Sequence, residues 1–295
     1  GTGLTGRVGS FALGRDYHVV LREKIVRLMA AWQERMGQQV CWQAQVDTGP
    51  LADRAAAWRA GLGWYGKNCS IISPDYGSAI LLGTILTDVE LEPDQPLPPQ
   101  CGDCTLCLEA CPTGALEGPN RLNAYQCISY LTQCGEPMPE NLRHKLGDNI
   151  YGCDICLSVC PHNRKAAKMG NGANRVQLDK LLTMSNREFS STMGQTAAGW
   201  KGKKLLQRNA LIALGNSEQA EAVPLLLQAL ADPRPEIRGS AAWALARFPG
   251  PVSGQALEQR LAREADERVR EEINQALVFI KETQQRQKNL PGSPT

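Results

Sequence analysis

At 295 residues with 42% hydrophobic content, the chain is long enough to bury two or three cores, and a formal net charge of +2 excludes a globally polyanionic or polycationic protein. No run of about 18 apolar residues occurs and the opening GTGLTGRVGS has no apolar secretory core, so neither a membrane span nor a signal peptide is read, and a cytoplasmic location is expected. Eleven cysteines, nine of them between positions 101 and 160, fit a disulfide-stapled scaffold poorly at this size and point to metal chemistry.

The chain opens without Met, and an N-terminal piece is expected to be missing. Residues 16 to 36 place Val20, Ile25, Leu28 and Met29 at helical spacing, with Gly37 as a stop. VCWQAQVDTGP alternates like a strand and ends in a Gly-Pro turn, which puts Asp47 at a strand end. LADRAAAWRAGLGWYG then reads as a helix stopped by Gly61 and Gly63, and SAILLGTILTDVEL as a second strand. EPDQPLPPQ is a stiff, extended connector, so a first α/β unit is expected over 1–96.

A cysteine unit is expected over 97–170. CGDCTLCLEACP spells CxxCxxCxxxCP, and GCDICLSVCP adds CxxCxxxCP about fifty residues later. Such spacing brings three thiolates to one face of an iron–sulfur cubane, while the fourth Cys, followed by Pro, leads to the other cluster. One [4Fe–4S] cluster is therefore expected on Cys101, Cys104, Cys107 and Cys160, and a second on Cys111, Cys153, Cys156 and one more thiolate. Spacing alone leaves that last ligand open between Cys127 and Cys134. Zinc also uses CxxC pairs, but its sites rarely need the longer run. No GxGxxG after a strand and no P-loop is present, so nucleotide cofactors are not indicated.

After about residue 200 the sequence turns to short amphipathic helices. Ala-Leu pairs begin at Ala213, Ala244 and Ala276, a period of about 31 residues, and DPRPEIR and ADERVR lead into two of the helices. Stacked HEAT-like helix pairs are expected over 171–285, with a disordered tail over 286–295. An ordinary helical bundle is the plainer alternative.

Taken together, the cysteine pattern, GRDYH (14–18), VDTGPLADRAAA (46–57), GLGWYGKNCSII (61–72), CISYLT (127–132) and the repeats resemble the epoxyqueuosine reductase family through nearly the whole chain. The resemblance implies a multidomain α+β protein: an α/β cobalamin-binding domain, N-terminally incomplete here, a ferredoxin-like two-[4Fe–4S] module and C-terminal HEAT-like repeats. It implies reduction of epoxyqueuosine to queuosine at the wobble position of tRNA, with two [4Fe–4S] clusters and cobalamin as cofactors and an external electron donor. Asp47 matches the family's proton donor, Cys127 its remaining cluster ligand, and Lys67, Asn68, Ser129 and Asp154 its corrin-binding positions. Cys134 then becomes a spare thiol. Cys69 stands where Thr is frequent and reads as a small core residue, and His18 as a hydrogen-bonded structural residue sharing a network with Asp16 and Tyr17. Trp64 and Tyr65 are candidates for stacking on an unpaired base.

Charge adds a separate expectation. Between 161 and 208, Arg164, Lys165, Lys168, Arg175, Lys180, Arg187, Lys201, Lys203, Lys204 and Arg208 face only Asp179 and Glu188, a strip suited to the phosphates of a tRNA anticodon stem-loop. The protein is expected to be a monomer without membrane partners. Rival readings are another corrinoid iron–sulfur reductase, such as a reductive dehalogenase, and an iron–sulfur electron carrier whose repeats dock a protein.

Overall fold

The computed structural model of the chain describes residues 3–164 and 174–288. It opens with β1 (Thr5–Val8) and α1 (Tyr17–Met36), which starts where the Asp16 carboxylate accepts the His18 amide and stops at Gly37, in the left-handed region at φ 66°. Only Ile25 and Met29 of α1 are buried; Leu28, expected on the same face, is 58% exposed, because the layer beneath is too small to cover it. That layer is β2 (Trp42–Gln45), which pairs antiparallel with a later strand, and its core is Ile25, Met29 and Val46 ringed by Leu21, Trp32, Trp42 and Ile85. α2 (Asp53–Arg59) precedes a hairpin of β3 (Trp64–Tyr65) and β4 (Ile71–Ile72). Glycine is required at 63, since a Cβ there would collide with the Ile72 backbone. β5 (Thr84–Thr87) is the partner of β2 and is shorter than the apolar run that suggested it.

In the cysteine unit, α3 (Leu106–Glu109), a hairpin of β6 (Leu116–Gly118) and β7 (Arg121–Leu122), α4 (Ile128–Leu131), α5 (Glu140–Arg143), β8 (Asn149–Tyr151) and α6 (Ile155–Ser158) follow in order. Two similar single turns, α3 and α6, grow from the two cysteine runs and pack together. β9 (Arg175–Gln177) then joins a three-stranded sheet whose centre is β1, parallel to β8 and antiparallel to β9. The sheet therefore weaves together segments read in sequence as three units. Gly6 at its centre has Ile150 and Leu178 so close that a Cβ would lie 2.6 and 2.8 Å from their methyls.

The helical part begins with α7 (Leu178–Thr183) and α8 (Asn186–Ser191), whose Ser185 and Glu188 form a capping box. It continues through α9 (Lys203–Gly215), α10 (Val223–Ala229), α11 (Pro235–Leu245), α12 (Pro251–Leu261) and α13 (Glu267–Lys288). One apolar core runs from Leu4 and Val8 through Ile128, Leu131, Ile150 and Tyr151 into Leu206, Leu211 and Leu214, and on to Ile273 and Ile280. α9 is buried along its length from Leu205 to Gly215, so it belongs as much to the cysteine unit as to the repeats. None of the helices is long and apolar enough to cross a membrane, among the described residues.

The recurring Arg of the repeats has a physical role. Arg238 donates to the carbonyls of Asp232 (3.0 Å) and Pro233 (2.8 Å), and Arg270 to those of Leu261 (3.3 Å) and Glu264 (3.1 Å). Each satisfies carbonyls where one helix has ended and the next is starting. Arg238 and Arg260 also grip the fully buried Glu264 carboxylate at 2.6 and 2.7 Å, holding its pKa down to about 2. Because the folded value lies below that of the unfolded chain, this stabilisation is present above the ordinary carboxylate range and is lost as pH falls toward 2. Glu264→Gln should cost about 3 kcal/mol at neutral pH by stranding buried guanidinium groups. In denaturant melts followed by far-UV circular dichroism, the gap to the parent should close as pH is lowered; an equal gap at pH 7 and pH 3 would contradict this role.

Candidate cluster sites and the adjoining cleft

Cys101, Cys104, Cys107 and Cys160 line one small cavity with Lys67, Asn68, Ile72 and His162. The fold thus joins three thiols of the first run to the last thiol of the second. Cys111, Cys127, Cys153 and Cys156 form the other neighbourhood. Burial pushes the Cys153 thiol up to about 11, with Cys127 and Cys111 adding to the effect, and the Cys156 thiol up to about 12, with Cys153, Cys127, Cys107 and Cys111 adding. Cys111 also feels burial, but hydrogen bonds from the Thr113 side chain and the amides of Leu116, Thr113 and Ala115 turn its net shift downward. Such a crowd of half-buried thiols favours the anionic form only beside a cation, which bound iron supplies. Cys134 stands apart, with its thiol on the Tyr130 hydroxyl and its carbonyl accepting from Arg208. Among the described residues no three Cys, His, Asp or Glu side chains are grouped tightly enough for a single metal ion.

The β3–β4 loop separates this cavity from a larger space. Lys67 Nζ donates to the Gly102 carbonyl at 2.6 Å, tying the loop to the first cysteine run. Asn68 is buried; its Oδ1 accepts the Ser70 amide at 3.1 Å, while its Nδ2 has no partner. Both residues, expected beside a corrin, stand on the thiol cavity. Cys69 adopts the left-handed region at φ 64°, which turns it to the opposite side; it lines the larger cleft rather than filling the core. Its thiol is raised by burial and lies close enough to Cys127 to feel that group. Ser129 on α4 accepts from Gln133 Nε2 at 3.2 Å, and Asp154 accepts the Ser10 amide at 2.7 Å, which ties the chain after β1 to the second cysteine run. Neither lines the cleft.

This cleft has a volume of about 870 Å³ and is bordered by Tyr17, Asp47, Leu51, Arg54, Tyr65, Cys69, Ile80, Leu81, Leu82 and Leu122. Asp47, in the left-handed region at φ 55°, holds a side chain that is 62% exposed. Its Oδ2 accepts the Tyr17 hydroxyl at 2.7 Å and lies 3.5 Å from His18 Nε2, while His18 Nδ1 meets Asp16 Oδ1 at 2.7 Å. Burial, reinforced by Asp47, pushes the Tyr17 hydroxyl far above its usual range, so it stays a donor. The Tyr17 and His18 rings stack 4.0 Å apart, and the 56% exposed Trp200 meets His18 edge-on at 4.6 Å. Trp64 is buried against His162, so of the Trp64–Tyr65 pair only Tyr65 lines the cleft. The sequence reading gave no role to Arg54, although it lies within VDTGPLADRAAA and holds the Cys69 carbonyl at 2.7 Å, nor to Trp200, which sits in no motif.

The expected RNA strip is only partly available. Arg208 is buried, contrary to expectation, because α9 is a core helix. Arg175 pairs with Asp148 at 2.8 Å and Lys204 with Glu236 at 2.9 Å. Lys203 donates to the Met184 carbonyl, whereas Arg164, Lys180, Arg187 and Lys201 are exposed. Lys165 and Lys168 lie outside the described residues.

Fold and site together define an iron–sulfur protein with two cluster positions and helical repeats. Residues 100–163 match the "4Fe-4S double cluster binding domain", 201–278 "HEAT repeats", and 2–48 "Epoxyqueuosine reductase QueG, DUF1730". The epoxyqueuosine reductase of Bacillus anthracis is 44% identical over 275 residues, covering 90% of this chain and 72% of that protein. That of Bacillus subtilis is 42% identical over 276 residues, covering 91% and 71%. A crystal structure of epoxyqueuosine reductase with a tRNA-Tyr epoxyqueuosine-modified stem loop superposes with a TM-score of 0.88 at 42% identity, covering 94% of this chain and 76% of that one. Another, from Bacillus subtilis, has its aspartate catalytic loop swung out of the active site and superposes at 0.86 with 40% identity, covering 93% and 75%. This chain belongs to the epoxyqueuosine reductase family.

With Cys127 in the second thiol group and Cys134 outside it, Cys127→Ser should release iron from one cluster selectively while Cys134→Ser keeps full iron. Iron and sulfide assays with EPR after anaerobic reconstitution decide it, and equal loss in the two variants would contradict the assignment.

Proposed function

We propose that this protein reduces epoxyqueuosine to queuosine at the wobble position of tRNA. The observation that carries the reading is that Asp47 and Cys69 line one open cleft, with Cys69 close enough to Cys127 of the second thiol group to feel it. Removing an epoxide oxygen breaks two C–O bonds, consumes two electrons and two protons and releases water. Cys101, Cys104, Cys107 and Cys160 would hold one cluster and Cys111, Cys127, Cys153 and Cys156 the other, beside Cys69 of the cleft, and the pair would supply one-electron carriers between an external donor and that cleft.

The cleft suits a corrin in chemistry: it is open, about 870 Å³ in volume, and lined by the apolar Leu51, Ile80, Leu81 and Leu82 together with Tyr65 and Cys69. Cobalamin bound there supplies a metal centre able to deliver two electrons to the substrate. In this reading Lys67 and Asn68 support the cofactor by fixing the β3–β4 loop between the thiol cavity and the cleft, and Ser129 and Asp154 by holding the segments that carry Cys127 and Cys153.

Asp47 protonates the oxygen as the epoxide opens. Tyr17 occupies its Oδ2, which leaves Oδ1 to carry the proton toward substrate, and His18 adjoins the same carboxylate for its reprotonation. The left-handed loop of Asp47 places the side chain in the cleft instead of along β2. Asp47→Asn should retain both clusters and lose about a hundredfold or more in rate, the scale of general acid catalysis. Nucleoside mass analysis after anaerobic turnover checks this, and full activity would remove Asp47 from the mechanism.

The tRNA stem-loop is held by the exposed Lys180, Arg187 and Lys201, with Trp200 at the rim beside His18 offering a stacking face. Arg187→Gln combined with Lys201→Gln should lower the slope of log affinity against log salt by about 0.7 to 0.9 for each phosphate that is no longer neutralised. An unchanged slope would place the RNA elsewhere.

A further inference from the structure

Arg208, which leaves the RNA strip for the core, and its neighbour Asn209 carry a different role. Both are buried on α9, and Asn209 is 0% exposed. Arg208 Nη1 donates to the carbonyls of Cys134 at 3.0 Å and Glu136 at 2.7 Å, Nη2 to that of Leu131 at 3.1 Å, and Nε to Asn209 Oδ1 at 3.1 Å. Asn209 Nδ2 in turn donates to the carbonyls of Thr132 and Ile150, each at 2.8 Å. Thr132 Oγ1 accepts the Gly152 amide at 2.9 Å, closing the bridge.

These carbonyls belong to the two segments that present thiols of the second group. Cys127 is the N-cap of α4 and its carbonyl accepts the Leu131 amide, so the guanidinium closes the far end of a single helical turn, about 6 Å from where Cys127 begins it. Ile150 and Gly152 lead directly into Cys153. One pair of side chains from the repeats therefore bridges the two ligand segments, adding to the direct Thr132–Gly152 hydrogen bond between them.

The charge is equally unusual. At nearly the same place in the next two repeats stand Arg238 and Arg270, which also grasp backbone carbonyls, but Arg238 has the Glu264 carboxylate beside it and Arg270 adjoins Glu267. Arg208 has no carboxylate partner among the described residues; its contacts are carbonyls and an amide. Burial lowers its pKa only to about 10, so the positive charge persists at neutral pH. An uncompensated cation in a low-dielectric surround favours the state of a nearby cluster that carries the extra electron.

We propose that Arg208 and Asn209 are positioning residues for the second cluster, fixing the Cys127 and Cys153 segments from the repeat helix and raising that cluster's reduction potential. The inference rests on the two-cluster reading of the cysteine unit. It makes the first repeat part of the electron path and gives the clusters a downhill direction toward the cleft.

The test uses the full chain with both clusters reconstituted anaerobically, followed by potentiometric titration under EPR. Parent protein lacking two distinct cluster signals would defeat the cluster reading itself. Given two signals, Arg208→Gln should lower the potential of one cluster by about a tenfold change in its one-electron equilibrium, about 59 mV, and leave the other unmoved. Arg208→Lys, which keeps the charge but not the fork, should hold the potential while that cluster yields iron to a chelator about tenfold faster. Asn209→Leu should accelerate the same loss with helical circular dichroism intact. Unchanged potential in Arg208→Gln overturns the electrostatic role. Should that variant fail to fold, unchanged chelation in Arg208→Lys and Asn209→Leu overturns the proposal on its own.

Discussion

Crowding thiolates inside a protein is opposed by desolvation and by their mutual repulsion, and this chain meets both costs at Cys153 and Cys156, the most strongly shifted of its thiols. Iron supplies the compensating charge only if the ligands already stand near their final places. The frame around them follows from that requirement. A parallel β1–β8 pair carries the chain into Cys153, and Asp154 holds the loop after β1. α3 and α6 pack on one another so that the last thiol of the second run reaches the first cavity.

The same frame places the cleft. The β3–β4 loop is a partition, with Lys67 and Asn68 on the cluster side and Cys69 on the other, and the left-handed backbone at Cys69 is the device that sends neighbouring side chains in opposite directions. Asp47 uses the same conformation to leave its strand and face the cleft. Two left-handed backbone positions lining one space, Cys69 near a cluster thiol and Asp47 near a Tyr–His pair, are what a redox reaction with a coupled proton needs.

Legibility in the sequence followed the range of the interactions. Ligand spacing is local, so the runs of cysteines announced the double-cluster domain, and the fold gathers Cys160 with Cys101, Cys104 and Cys107 as that spacing led one to expect. Cys127 was not distinguishable from Cys134 by spacing, because the choice depends on how α4 packs against the second run. The amphipathic pattern of α1 located the helix but overstated its buried face at Leu28, since the width of the neighbouring layer is a tertiary fact. Charge counting placed Arg208 on a surface, whereas the apolar neighbours of α9 draw it inward and backbone carbonyls replace water around it. The boundaries read at 96 and 170 mark real changes of composition, yet β1 and one continuous core cross them.

The most direct test of the account is Mössbauer spectroscopy with metal analysis on the anaerobically reconstituted chain. The account predicts about eight irons per chain in two [4Fe–4S] environments, unequal because their surroundings differ. A single cluster of about four irons, or zinc in place of iron, would contradict it.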